Sequence, residues 1–241
     1  MKLKSFGCSF IFGSDLADGG VDGYHTASNF TWPALLAQKF GVDYICYAHP
    51  GVGNLRILEQ VLNQSADKDS LFVINWTWID RYDHTVTPQY EYDHLPPSRI
   101  SDSEAWRTIL PTDQNSLTKS YYKNLHSQYR DKLTTLCYIR TAIDTLNSLK
   151  IPFIMTFMDN LILETEWHST SATLALQDYV RPYLSTFDEQ TFLEWSQHHN
   201  FSIGPGMHPL ENAHQAAADY MAKKITLALQ YNDTIIYRPE I

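Results

Sequence analysis

The sequence predicts a three-layer α/β/α sandwich, one domain over residues 1–241 built around a parallel sheet of about five strands. Short apolar runs rich in β-branched and aromatic residues recur at 3–10, 42–48, 70–78 and 151–158. Each run is hydrophobic nearly throughout, as expected of strands covered on both faces. Helical patterns separate the runs, and 241 residues suit one such domain.

The first run, "LKSFGCSF", ends at Ser9 and is followed by Gly13. "WPALLAQKFG" reads as a helix, with Pro33 in its first turn and Gly41 at its end. After the second run, "GNLRILEQVLNQ" sets Leu55, Leu58, Val61 and Leu62 at helical spacing. The third run, "SLFVINWTW", puts Trp76 and Trp78 on one face by strand alternation. Residues 80–119 then break the rhythm. Rich in Pro, Asp, Tyr and His, they read as an insertion over the site. Tyr82, Tyr90, Tyr92 and Trp106 within it could stack on sugar rings or form a small local core.

One long helix is expected from about 120 to 150, and then the fourth run, "IPFIMTFM". An irregular stretch, "DNLILETEWHSTSA", follows, and "HNFSIG" at 199–204 is the candidate for a fifth strand. The closing helix, "LENAHQAAADYMAKKITLALQ", aligns Ala213, Ala217, Met221, Ile225 and Leu229 to cover one side of the sheet.

Composition bounds the function. A hydrophobic fraction of 44% with 19% charged residues describes a globular protein with a substantial core. The net charge of −9 argues against binding nucleic acid or anionic membranes, since the densest basic segment, "YRDKL", is itself interrupted by an acid. Three widely spaced cysteines without a C-x-x-C pair suggest a reduced, cytoplasmic protein without a zinc site. The N-terminal apolar run is broken by Ser, Gly and Cys and reads as a strand instead of a signal peptide, and no run is long enough to span a membrane.

At the end of the first strand Ser9 is either a nucleophile or a helix cap. A serine hydroxyl attacks only when a base removes its proton. His208, in a Gly/Pro-rich loop before the last helix, is placed to reach the same edge of the sheet. His198, His199 and His214 could suggest a metal, but adjacent histidines do not both face one ion easily and no carboxylate cluster accompanies them, so no metal is expected. Cys8 should face away from Ser9, as a small buried hydrophobe.

Gly7-Cys8-Ser9-Phe10 with Gly13, "YAHPGVGNLRI", "INWTWIDR" and "PGMHPLENAHQ" occur in an order that resembles the blocks of the SGNH, or GDSL-like, hydrolase superfamily. The resemblance implies a flavodoxin-like sheet and serine ester hydrolysis without a cofactor, on a small ester, an acylated carbohydrate or a lipid acyl group. It implies Ser9 as nucleophile, His208 as base, and an oxyanion site from Gly51 with Asn75 or Thr77. Trp78 would wall the pocket and Arg81 would contact a polar substrate. The family's acid should stand three residues before the histidine, where this chain has Pro205. Either a backbone carbonyl then holds His208, or an acid comes from elsewhere, Asp159 and Glu211 being candidates, or turnover is lost. The last case leaves a non-catalytic carbohydrate or small-ligand binding module. A nucleotide or flavin binder ranks below both, because no glycine-rich phosphate loop follows the first strand.

Overall fold

The computed structural model describes residues 1–19, 26–85 and 106–231, with side chains to 225. Four parallel strands, β1 (Lys2–Phe6), β2 (Asp43–Cys46), β3 (Ser70–Trp76) and β6 (Phe153–Phe157), pair in the order β2-β1-β3-β6. Where a fifth strand would lie, Leu184 makes a single parallel bridge to Met155. "HNFSIG" is not in the sheet: Ile203 bridges Pro209 instead, within the loop that carries His208. Two short antiparallel strands, β4 (Tyr82–Thr85) and β5 (Trp106–Ile109), form a separate pair beside the sheet. Tyr90 and Tyr92 lie outside the described residues.

Strand alternation divides the core into two halves. Leu3, Leu71, Val73 and Ile154 face one side. There α2 (Trp32–Phe40), α7 (Phe192–His198) and α8 (Glu211–Tyr231) cover them. Phe6, Phe72, Ile74, Trp76 and Met155 face the other side, under α3 (Asn54–Gln64), α5 (Gln128–Leu149) and α6 (Ser171–Val180). The expected sandwich is thus present. The expected shared face of Trp76 and Trp78 is not: β3 ends at Trp76, so alternation stops there, and Trp78 packs against the opposite core half.

Local chemistry explains the helix bounds. Pro33 stands in the first turn of α2, and Gly41 closes that helix in the left-handed conformation at φ 64°. The predicted helix from 120 to 150 is two helices, α4 (Ser116–Asn124) and α5. The break carries a polar cap, the Ser127 side chain accepting the Arg130 N–H at the start of α5, and Asn115 caps the start of α4 in the same way through the Thr118 N–H. On α3 the buried apolar residues are Ile57, Leu58 and Val61, with Leu62 turned outward. Ala213, Ala217, Met221 and Ile225 of α8 are buried as expected. All three cysteines are free, and Cys8 is fully buried.

Candidate active site

Ser9 opens the four-residue helix α1 (Ser9–Phe12), directly after the turn at the end of β1. It is not a cap: Cys8 holds the capping position, and the Ser9 side chain serves elsewhere. Ser9 Oγ lies 2.7 Å from His208 Nε2. Two glycines shape this turn. At Gly7, a Cβ would stand 2.9 Å from Ile11 Cγ1 and 3.1 Å from Asn75 O, and Gly13 ends α1 at φ 83°, a left-handed value that favours glycine.

His208 is held from behind. Its Nδ1 lies 3.0 Å from Asp15 Oδ2, and the same oxygen accepts the Gly206 N–H at 2.7 Å. Because a carboxylate only accepts, Nδ1 carries the proton, and Nε2 presents its lone pair to Ser9. Burial works to raise the Asp15 pKa, but the His208 hydrogen bond, the Gly206 N–H and the His208 charge outweigh it and hold the carboxyl below its ordinary value. Serine, histidine and carboxylate therefore form a continuous relay.

Pro205 has a structural task in this relay. Met207 N–H bonds back to Gly204 O at 3.0 Å, so Pro205 is the second residue of a tight turn, a position suited to its fixed φ. The turn delivers the Gly206 N–H to Asp15. Side chains at the two glycines would block it, since a Cβ on Gly204 would meet Asp15 Oδ2 at 2.6 Å and one on Gly206 would meet His208 Nδ1 at 2.7 Å. The two acids named from the sequence bond elsewhere. Asp159 accepts the N–H groups of Ile79 and Leu161, and Glu211 accepts that of Ala17.

The other predicted residues fall into two groups. Phe10 packs its ring edge to face with both His208 (4.8 Å) and Trp78 (5.6 Å), and the Arg81 guanidinium lies 4.7 Å from the Trp78 ring centre. Arg81 Nη1 also donates to Val52 O at 3.1 Å, fixing it to the loop that carries Gly51. This chain of rings leads from the serine–histidine pair to Trp78 and Arg81. Gly51 turns its loop at φ 76°, and the His49 N–H of that loop bonds Gly7 O at 3.0 Å.

Asn75 and Thr77, at the end of β3, are both buried. Thr77 is tied on both backbone sides to Asn54: its N–H donates to Asn54 Oδ1 at 2.8 Å, and its carbonyl accepts from Asn54 Nδ2 at 3.1 Å. Asn75 is tied on one side only. Its Oδ1 accepts from Thr156 Oγ1 at 2.8 Å, while its buried Nδ2 has no partner among the described residues. The Asn75 side chain lies beneath Gly7, where a glycine Cβ would come within 3.3 Å of Asn75 Cβ.

Of the remaining histidines, His214 is 1% exposed and accepts the Trp32 N–H through Nδ1 at 2.9 Å. Burial, with a smaller contribution from the His208 charge, lowers its pKa to about 3. It latches α8 to the start of α2. His199 bonds the Trp195 carbonyl through Nδ1. Among the described residues no group of three or more His, Cys, Asp or Glu side chains is arranged to hold a metal, and no helix is long and apolar enough to cross a membrane.

Sequence reasoning missed Asp15, Phe10 and Asn54. Asp15 and His208 lie 193 positions apart, and the acids named from the sequence were Asp159 after the fourth strand and Glu211 beside the histidine. The available signal was the glycine pair around Pro205, which marks a backbone that another group approaches closely.

No protein-family model matches the sequence, and no curated protein matches it. Solved structures do resemble the fold. One is a carbohydrate esterase whose active site displays divergent catalytic and non-catalytic binding functions; it is 13% identical, with 97% of this chain and 69% of that chain covered at a TM-score of 0.51. Others are the psychrotrophic esterase EstA from Pseudoalteromonas sp. (11% identical, 95% and 98% covered, TM-score 0.47) and a member of the lipolytic protein G-D-S-L family from Veillonella parvula DSM 2008 (10%, 94% and 98%, 0.46). At such identities the likeness concerns the fold, and of these three the first carries it.

Proposed function

We propose that this protein is a serine ester hydrolase of SGNH type, in which Ser9 is the nucleophile, His208 the general base and Asp15 the group that positions the base. One observation carries the reading: the histidine has a serine hydroxyl 2.7 Å from one ring nitrogen and a carboxylate 3.0 Å from the other. Ser9 Oγ attacks the acyl carbonyl as its proton passes to His208 Nε2. The C–O bond to the alcohol then breaks, and the alcohol leaves with that proton. Water, deprotonated by the same nitrogen, attacks the acyl-serine and releases the acid and free Ser9.

The oxyanion would be held by the N–H groups of Ser9 and Gly51 and by a side-chain donor from β3. Asn75 and Thr77 each offer one, since the buried Asn75 Nδ2 and Thr77 Oγ1 both lack a partner among the described residues, while the Thr77 backbone N–H is bonded to Asn54. Trp78 and Arg81 would line the approach.

The substrate is a small ester, and the structural likeness to a carbohydrate esterase brings an acylated sugar forward. The binding-module reading drew on Pro205 and on the missing asparagine of the third block; the carboxylate of Asp15 beside His208 weighs against the first ground. The chemistry calls for no metal or organic cofactor.

The test is hydrolysis of p-nitrophenyl acetate and longer acyl esters, with Ser9→Ala and His208→Ala alongside. Each substitution is expected to lower kcat by at least about a thousandfold while the protein stays folded. Undiminished turnover by Ser9→Ala would refute the assignment.

A further inference from the structure

Phe10 follows Ser9 in the chain, is 3% exposed, and sets its ring edge to face against His208, the ring centres 4.8 Å apart at an interplanar angle of 68°. Two hydrogen bonds already join that imidazole to Ser9 and Asp15. They do not hold its plane closely. A hydrogen bond tolerates about 30° of misalignment with little loss, whereas a reacting constellation must be held within about 10–20°. The torsion that turns a histidine ring is also broad. The remaining precision has to come from packing.

Packing fixes a ring only when the group packed against it is itself fixed, and Phe10 meets that condition. It belongs to the buried core through the short helix that Ser9 opens. Its ring also meets Trp78 edge to face, at 5.6 Å and 60°. The Trp78 ring carries the Arg81 guanidinium at 4.7 Å, and Arg81 Nη1 is tied to Val52 O. At the Nδ1 side of the imidazole the Gly206 backbone closes the space, since a Cβ there would stand 2.7 Å from His208 Nδ1 and 2.9 Å from Cε1. The imidazole is thus bounded by packed groups as well as by its two polar partners.

We propose that Phe10 is a positioning residue for His208: its ring sets the plane of the imidazole, so that one orientation serves Ser9 and Asp15 together. As a statement about rate this rests on the hydrolase reading; as a statement about the imidazole it stands alone.

Two variants and two measurements test it. Phe10→Leu keeps the position apolar and removes the flat ring, while Phe10→Tyr keeps the ring. With p-nitrophenyl acetate, Phe10→Leu should lower kcat at least about thirtyfold with KM within about threefold, and Phe10→Tyr should retain kcat to within about fivefold. Independently of turnover, the His208 Nδ1 proton, identified in NMR spectra by its loss in His208→Ala, should exchange with water at least about tenfold faster in Phe10→Leu and remain protected in Phe10→Tyr. Phe10→Met, closer in volume, carries the same expectations if the leucine variant is too unstable to purify. A folded variant without the ring that keeps both kcat and the slow exchange would overturn the proposal. So would equal losses of kcat in Phe10→Leu and Phe10→Tyr with the exchange unchanged, since Phe10 would then only fill the core. Faster exchange in Phe10→Leu alone, in a protein that hydrolyses no ester, would sustain the hold on His208 and refute the hydrolase.

Discussion

At the end of β1, Ser9 and Asp15 of one stretch of chain meet His208 of another, the serine oxygen on one ring nitrogen and the carboxylate on the other. At the end of the adjacent β3, the polar groups are drawn inward: Thr77 is bonded through N–H and carbonyl to Asn54, and Asn75 Oδ1 to Thr156. The first end joins serine, imidazole and carboxylate in one hydrogen-bonded chain, and the second ties the strand to α3 and β6. A buried network of that kind is stable because its members satisfy one another. Among the described residues it leaves two side-chain groups without a partner, Asn75 Nδ2 and Thr77 Oγ1, and these are therefore the groups to examine for a role in the reaction.

The largest effect that would sharpen this contrast is expected at Asp15. Asp15→Ala should lower kcat by about a thousandfold or more with little change in KM, because the histidine loses the partner that fixes its tautomer. A purely structural role would instead lower the melting temperature and leave the kcat of the folded fraction intact.

At the second end, Asn75→Ala should lower kcat by about a hundredfold if Nδ2 stabilises the oxyanion. A stability loss with normal turnover would make the β3 end entirely structural and would break the comparison as drawn.

The third expectation contrasts two histidines of the first end, His208 at the crevice and His214 inside. His214 is held neutral, its pKa lowered from the usual 6.5 to about 3. Above the ordinary value both folded and unfolded chains carry it uncharged, and its contribution to stability is complete. As pH falls from 6.5 towards 3 only the unfolded chain takes up the proton, so stability declines. Between pH 7 and pH 5 the loss from this residue should be about 2 kcal/mol. Urea unfolding at the two pH values checks this, and His214→Leu, though less stable at pH 7, should flatten the dependence.

Much of the architecture was legible because strands buried on both faces must be apolar throughout: β3 and β6 are buried along their length and fall within such runs, while the edge strand β2 is only partly buried and β1 begins one residue before its run. Ser9 and His208 were legible for a related reason: glycine and proline mark where the chain turns sharply at the ends of strands. The break between α4 and α5 was not, because one small cap, Ser127, marks the start of the second helix. Trp78 was misassigned because alternation holds only while the strand lasts. Asp15 was hidden by distance: nothing in "GSDLADGG" distinguishes a carboxylate that meets a histidine from one that meets water.

Whether His208 activates Ser9 is read by treating the protein with a fluorophosphonate and mapping the adduct by mass spectrometry. One phosphonylated residue is expected, Ser9, with labelling slowed at least about a hundredfold in His208→Ala. A folded protein that is not labelled at Ser9, or one labelled there equally fast without His208, would contradict that activation.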